Sequence, residues 1–295
     1  MTSPANNSPL SNIDARTLPY GLIGDPVRHS LSPQLYNSAF DHHRLNCCYL
    51  AFEVDAQNLS AAVNGLRALG IGGFNVTAPY KEEIISFLDE VSREATLVRS
   101  VNTVVNHRGS LQGYTTDGPG FCRFLKEDCG EDLSTDRVLV IGAGGAARAV
   151  AFSLAFEGIQ SMVIANRTLS NARELARLLE AETSIAEVQA TTLEKVALEK
   201  EISDADLVVN SLAFDVPEVL EAIEEVGRNN GLKSGLLVDL RYNPEVTEMM
   251  KNYERQGGRV HNGKGMLFWQ AVMAFEHFFP DLEAPVEVMR RAVEN

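Results

Sequence analysis

The chain has 295 residues, 45% of them hydrophobic and 22% charged, which suits one large or two ordinary domains with a buried core. Its 26 Lys and Arg stand against 40 Asp and Glu, a formal net charge of -14 that argues against nucleic acid or an anionic membrane surface as a partner. No apolar run reaches the length of a membrane span, the start lacks the basic and apolar blocks of a secretion signal, and Cys47, Cys48, Cys122 and Cys129 form no C-x-x-C pair. A cytoplasmic protein with reduced thiols is expected.

Residues 1–17, MTSPANNSPLSNIDART, are rich in Ser, Asn and Pro and predict a flexible extension. YGLIG reads as a strand, followed by Asp25, Pro26, the loop VRHSLSP and a helix starting near Ser32, with Pro33 suited to its first turn. CCYLAFEV then reads as a strand, NLSAAVNGLRALG as a helix stopped by Gly70, GGFNVT as a strand and YKEEIISFL as a helix. This alternation points to a parallel, helix-flanked sheet. SVNTVVNH and GSLQGYT predict a short hairpin, and TDGPGFCRFLKEDCG a helix leading into a second domain.

In that second domain strands are expected at 137–141, 161–166, 206–210 and 235–239, with a weaker candidate at 185–189. RVLVIGAGGAAR joins the first strand to a helix through a G-x-G-x-x-A turn, with Gly142, Gly144 and Ala147 at the diagnostic positions of a dinucleotide-binding unit. Gly142 permits the turn and Gly144 lets backbone approach a pyrophosphate. Ala143, Gly145 and Ala146 complete the turn and the helix start, whose free N–H groups favour phosphate. The next strand ends in Asn166, Arg167 and Thr168, where an NAD enzyme would carry Asp or Glu for the ribose 2′-hydroxyl. A guanidinium there suits a 2′-phosphate, so the expected cofactor is NADP(H).

A long apolar helix in HNGKGMLFWQAVMAFEHFF and an amphipathic one in PVEVMRRAVEN close the chain, and a nucleotide domain needs neither. They are expected to return to the N-terminal domain. The fold class that results is α/β: a discontinuous α/β substrate domain (18–116 and 263–295), an inserted Rossmann domain (117–262) and an active site in the interdomain cleft.

Four polar clusters stand at the ends of predicted strands: HSLSP (29–33), NVTAPYK (75–81), SVNT (100–103) and YTTDG (114–118). Lys81 and Asp117 stand out, because an amine beside a carboxylate can pass a proton to and from a carbinol or carbonyl oxygen during hydride transfer. Each also has a plain explanation, Lys81 as a solvated lysine at a helix start and Asp117 as a helix N-cap. The six histidines show no metal-ligand spacing, and no metal is expected.

Taken together, HSLSP, NVTAPYK, SVNT, TDG, GAGGAAR, NRT and GKGMLFWQ occur in the order and approximate spacing of the shikimate dehydrogenase family, with its quinate/shikimate relatives, which the chain resembles from about Tyr20 onward. The resemblance implies NADPH-dependent, reversible reduction of 3-dehydroshikimate to shikimate, a step of aromatic amino acid (chorismate) biosynthesis, by a monomer or homodimer. It implies that Lys81 and Asp117 are the acid/base pair, that Ser30, Ser32 and Tyr242 bind the substrate carboxylate, and that Thr77, Asn102 and Gln270 read the ring hydroxyls. Met266 would lie near the nicotinamide, with Gly263 and Gly265 allowing close packing. The alternatives are a quinate/shikimate dehydrogenase with relaxed cofactor choice and a catalytically silent metabolite sensor on the same fold. The chain departs from the family pattern in four places: Thr115 begins the usual Asn-Thr-Asp-Gly run, NSLAFD lacks the usual glycine-containing loop, Lys264 takes a position usually apolar, and Asn171 stands where some members carry a second basic residue.

Overall fold

The computed structural model describes residues 13–133, 137–229, 232 and 235–293. The chain divides into two compact units, Met1–Thr116 with Gln270–Asn295, and Asp117–Trp269. Residues 1–12 of the expected extension lie outside the described residues. Among its last residues, Thr17 Oγ1 donates to Asn46 Oδ1 at 2.6 Å and Asn46 Nδ2 donates to Asp14 Oδ1 at 3.0 Å.

The first unit is built on a six-stranded sheet of order β2-β1-β3-β5-β6-β4. β1 (Leu18–Gly24) leads through α1 (Ser32–His42) to β2 (Cys47–Glu53), and α2 (Leu59–Ala68) leads to β3 (Gly73–Val76). Parallel strands need such crossovers, and β1 pairs in parallel with both β2 and β3. Gly70, at φ +67°, lets the chain turn back after α2, as the sequence suggests. The short strand β4 (Glu90–Val91) and helix α3 (Arg93–Val98) precede the hairpin β5 (Thr103–His107) and β6 (Ser110–Tyr114). That hairpin makes the sheet mixed, since β5 runs antiparallel to both β3 and β6. The helix expected over YKEEIISFL is a 3₁₀ turn, Glu83–Phe87. The chain cannot extend it: Asp89 N already donates to Leu111 O at 3.0 Å as the backbone enters β4.

These registers bring Gly24, Val76, Thr103 and Tyr114 to one edge of the sheet. One face of the sheet is covered by Leu59, Val63, Phe74, Tyr80 and Ile84. Elsewhere in the same unit Tyr20 meets Phe40, Phe278 and Phe279 at ring separations of 5.4, 5.1 and 5.3 Å. Phe278 and Phe279 come from the far end of the sequence, so aromatic packing is what recovers the C-terminal segment for this unit.

The second unit opens with α4 (Asp117–Glu127) and continues as β7 (Arg137–Ile141), α5 (Gly145–Phe156), β8 (Ser161–Ala165), α6 (Leu169–Glu182), β9 (Glu187–Thr191), α7 (Lys195–Asp204), β10 (Leu207–Asn210), α8 (Pro217–Asn229), β11 (Leu236–Asp239), α9 (Glu248–Arg255) and β12 (Arg259–Asn262). All six strands are parallel, in the order β12-β11-β10-β7-β8-β9. Counted along the chain this is 3-2-1-4-5-6 read from the other edge, the order of a dinucleotide-binding sheet, with its switch point between β7 and β10. β12 escaped the sequence reading because Arg-Val-His-Asn carries no apolar run. α10 (Lys264–Phe278) contains the second unit boundary, between Trp269 and Gln270 and so past the 262/263 position expected, and α11 (Val286–Arg291) ends the described fold. No helix among the described residues is long and apolar enough to cross a membrane.

α4 and α5 meet at Gly118, where a Cβ would lie 2.2 Å from both Ala149 O and Ser153 Oγ. Both obstacles belong to a helix that cannot yield locally. Gly118→Ala is expected to lower unfolding free energy by about 1–3 kcal/mol, read as a shift in denaturant midpoint.

Candidate active site

The polar clusters of the first unit converge on the sheet edge defined by Gly24, Val76, Thr103 and Tyr114. After β1 the backbone turns at Ser30, whose N–H donates to Val27 O at 3.0 Å. Ser30 Oγ donates to Ser32 Oγ at 3.1 Å and accepts from Ser32 N at 3.2 Å, leaving two half-buried hydroxyls side by side. Adjacent hydroxyls of this kind can both donate to one carboxylate. After β3, Thr77 N donates to Ile23 O at 3.0 Å, and Lys81 O accepts from Val101 N at 2.8 Å. Lys81 is half-buried and lies in the turn before the 3₁₀ segment.

Asn102 is the centre of this edge and is 2% exposed. Its Nδ2 donates to Thr116 Oγ1 at 2.9 Å and to Gln270 Oε1 at 3.1 Å, while its Oδ1 accepts from Thr116 N at 2.8 Å. Its backbone carbonyl accepts from Val76 N and from Asn75 Nδ2, at 2.9 and 3.0 Å. Asn75 Oδ1 in turn accepts from Tyr49 Oη at 2.7 Å. Burial pushes the Tyr49 phenol far up, so it stays a neutral donor to Asn75. The sequence singled out Asn102 and Gln270; Tyr49 and Asn75 went unremarked as supports, although N-V-T placed Asn75 beside a named residue. Thr116 also answers the Thr115 departure. Thr115 Oγ1 is buried with no hydrogen-bond partner among the described residues, whereas Thr116 holds Asn102 through both backbone and side chain.

Asp117 follows Thr116 directly and lies inside the first turn of α4, which corrects its reading as an N-cap. At the carboxyl edge of the second sheet, Gly142 takes φ +114°, and a Cβ there would lie 2.1 Å from Ser211 Oγ. Gly142 N donates to Ala165 O at 2.8 Å, which joins the glycine turn to the Asn166–Thr168 segment. A Cβ on Gly144 or Gly145 would meet nothing within 4 Å, and α5 begins with no side-chain cap. Open space over uncapped N–H groups, with Ala143 and Ala146 adding no bulk, fits a pyrophosphate. Asn166 Nδ2 donates to Thr168 O at 3.0 Å, and Arg167 is exposed between them.

Gly263 and Gly265 have structural work of their own. A Cβ would lie 2.1 Å from Leu240 O at the first and 2.1 Å from Phe124 Cδ2 at the second. Met266 is half-buried on α10, and Tyr242 is 51% exposed on the loop after β11. Among the described residues no group of three or more His, Cys, Asp or Glu is placed to hold a metal ion.

A two-unit α/β chain with a nucleotide-type glycine turn and a separate polar sheet edge defines a dehydrogenase architecture. Family models place it further: a shikimate dehydrogenase substrate-binding domain matches residues 22–104, a shikimate/quinate 5-dehydrogenase domain 125–257, and a shikimate 5′-dehydrogenase C-terminal domain 263–294. Shikimate dehydrogenase (NADP(+)) of Methanopyrus kandleri is 43% identical over 96% of this chain and 97% of its own. Shikimate 5-dehydrogenase of Listeria monocytogenes, solved with shikimate and NAD, superposes with a TM-score of 0.84 at 34% identity, covering 95% of this chain and 97% of that one. The Thermus thermophilus enzyme, solved with NADP(H) and shikimate, gives 0.75 at 33% identity over 94% and 100%. The chain belongs to the shikimate dehydrogenase family.

Thr116→Val tests the Asn102 support. It removes the hydroxyl that accepts from Asn102 Nδ2 and keeps the shape of the side chain. A loss of about 1–3 kcal/mol in unfolding free energy is expected, together with a raised KM for the substrate. Denaturation and steady-state kinetics read the two effects.

Proposed function

We propose that the chain is an NADP-dependent shikimate dehydrogenase that interconverts shikimate and 3-dehydroshikimate. The observation that carries the reading is the convergence of Ser30, Ser32, Thr77, Lys81, Asn102 and Gln270 on one sheet edge, in a chain whose relatives act on this substrate along nearly their whole length. Unit one is the substrate unit and Asp117–Trp269 the nucleotide unit. The enzyme works on small molecules in the cytoplasm, as a monomer or homodimer.

NADP(H), when bound, takes or supplies the hydride at its nicotinamide. Gly142, Ala143, Gly144, Gly145 and Ala146 would hold its pyrophosphate, Asn166, Arg167 and Thr168 its 2′-phosphate end, and Gly263 and Met266 its nicotinamide. Ser30, Ser32 and Tyr242 hold the substrate carboxylate, and Thr77, Asn102 and Gln270 accept or donate to ring hydroxyls. The Asn102 amide is already fixed by Thr116 Oγ1 and N, so it meets the substrate in one orientation. In the reductive direction the Lys81 ammonium gives its proton to the carbonyl oxygen as the hydride arrives at carbon. Asp117 is the carboxylate member of this acid/base pair. In the oxidative direction the proton returns from the hydroxyl to the Lys81 amine.

Cofactor reduction with shikimate and quinate, each with NADP and with NAD, tests the assignment. Shikimate with NADP is expected to turn over fastest, and the absence of turnover in all four pairings would leave the sensor reading. Lys81→Ala is expected to lower kcat by on the order of 10²–10⁴ with a much smaller change in shikimate affinity, because its contribution is concentrated in the transition state. Arg167→Asp is expected to raise the dissociation constant for NADP more than that for NAD, since a like charge replaces the partner of the 2′-phosphate. Fluorescence titration with the reduced cofactors reads that difference.

A further inference from the structure

Two departures noted in the sequence, the 210–215 loop and Lys264, each meet a charged partner on the segment that carries Tyr242. β10 and β11 are neighbours, and their carboxyl ends, Asn210 and Asp239, pair in register. The Asp239 side chain is fully buried. A carboxylate in that position must be matched by several donors. Arg241 folds back to supply them: Nε donates to Oδ1 at 3.0 Å, Nη2 to Oδ2 at 2.6 Å, and its own backbone N to Oδ1 at 3.1 Å. Thr247 Oγ1 adds a fourth at 2.8 Å while accepting from Met250 N to cap α9.

The same Arg241 Nη2 also donates to Asp215 Oδ1 at 2.7 Å, across to the loop that follows β10. At its near end that loop is fixed to the glycine turn, because Ser211 N and Oγ both donate to Ile141 O at 2.9 Å. The far side of the Tyr242 segment is held by Asn262 Nδ2 on Glu245 O at 2.9 Å and by Lys264 Nζ on Glu245 Oε1 at 2.7 Å. Exposure separates the two ion pairs. Arg241 and Asp215 are 14% and 29% exposed, whereas Lys264 and Glu245 are 55% and 69% exposed, where solvent screens an ion pair to little effect.

We propose that Arg241 is a positioning residue: by clamping Asp239 and Asp215 together, it fixes the Tyr242 phenol relative to the Gly142 turn and so sets where the substrate carboxylate is held. This rests on the reading that Tyr242 binds that carboxylate. Stability of Asp239 alone would need only the contacts within its own segment and to Thr247. The reach to Asp215 adds a link between the loops after β10 and β11 that burial of Asp239 does not require.

A double-mutant cycle in the full-length protein tests the clamp, using KM and kcat for shikimate, calorimetric shikimate binding and denaturation midpoints. Tyr242→Phe is expected to raise KM by about tenfold, the loss of one hydrogen bond to a charged group. Asp215→Ala removes the far arm and leaves Asp239 paired, so it is the variant least prone to misfold. It and Arg241→Met are expected to raise KM and the calorimetric dissociation constant about three- to tenfold with kcat within twofold, and Arg241→Lys to recover part of the loss. Combined with Tyr242→Phe, neither should add a further rise, because both act through the same phenol. A full additive rise in the combined variants, or unchanged KM in Asp215→Ala and Arg241→Met while Tyr242→Phe is impaired, overturns the clamp and leaves the Tyr242 reading standing. Unchanged KM in Tyr242→Phe overturns both.

Discussion

Asn102 is the point at which the first unit becomes a site. A primary amide that is almost entirely buried must have its donors and acceptors met, and here the partners are Thr103, Thr116 and Gln270, while the end of β3 meets the backbone carbonyl of the same residue. The hydrogen bonds that satisfy Asn102 therefore also align the end of β3, the start of β5, Thr116 and Gln270. Lys81 is drawn into the same arrangement through its carbonyl, which accepts from the residue preceding Asn102. One polar side chain with no freedom to turn thus sets the spacing of groups that are far apart in sequence.

Both sheets gather polar groups at the carboxyl ends of their parallel strands, which in the first sheet is also the amino end of antiparallel β5, for the same reason. Strands such as Leu207–Asn210 and Leu236–Asp239 are buried throughout, so their interiors have room only for apolar side chains. Backbone and side-chain polarity becomes available where pairing stops, at Asn210, Asp239 and the turn after Ile141. The second unit uses buried charge at this edge, with Asp239 matched by Arg241 and Thr247, whereas the first uses neutral amides and hydroxyls. A charged interior costs more to assemble but resists rearrangement, since parting one member strands the others.

Much of this was legible in the sequence because the signals were local. The glycine turn, the strand preceding it and the alternation of apolar segments are each written in a dozen residues, and the motif series carried the family resemblance. What was illegible depended on partners remote in the chain. β12 lacks an apolar run and exists because β11 offers it a free edge. The 3₁₀ turn at Glu83–Phe87 reads as an α-helix until the pull of β4 is known. Arg241 reads as a solvated loop arginine, since nothing in DLRYNP indicates that Asp215 lies within reach of its guanidinium. At Gly265 a side chain is forbidden by the ring of Phe124, far off in the sequence.

Helix α10 imposes a constraint of a different kind, on how the gene can vary in length. Its first turn is pressed against Phe124 through Gly265, and Gln270 further along accepts from Asn102, so both portions of the helix are held against rotation. Met266 and Gln270 are four positions apart and share a face. A single inserted or deleted codon between them would swing Gln270 by about 100° around the axis, which no neighbouring loop can absorb. Insertions should therefore accumulate in the stretches joining α6 to β9 or α8 to β11, while the short run from Gly265 to Gln270 keeps a fixed count, a ruler measured in residues.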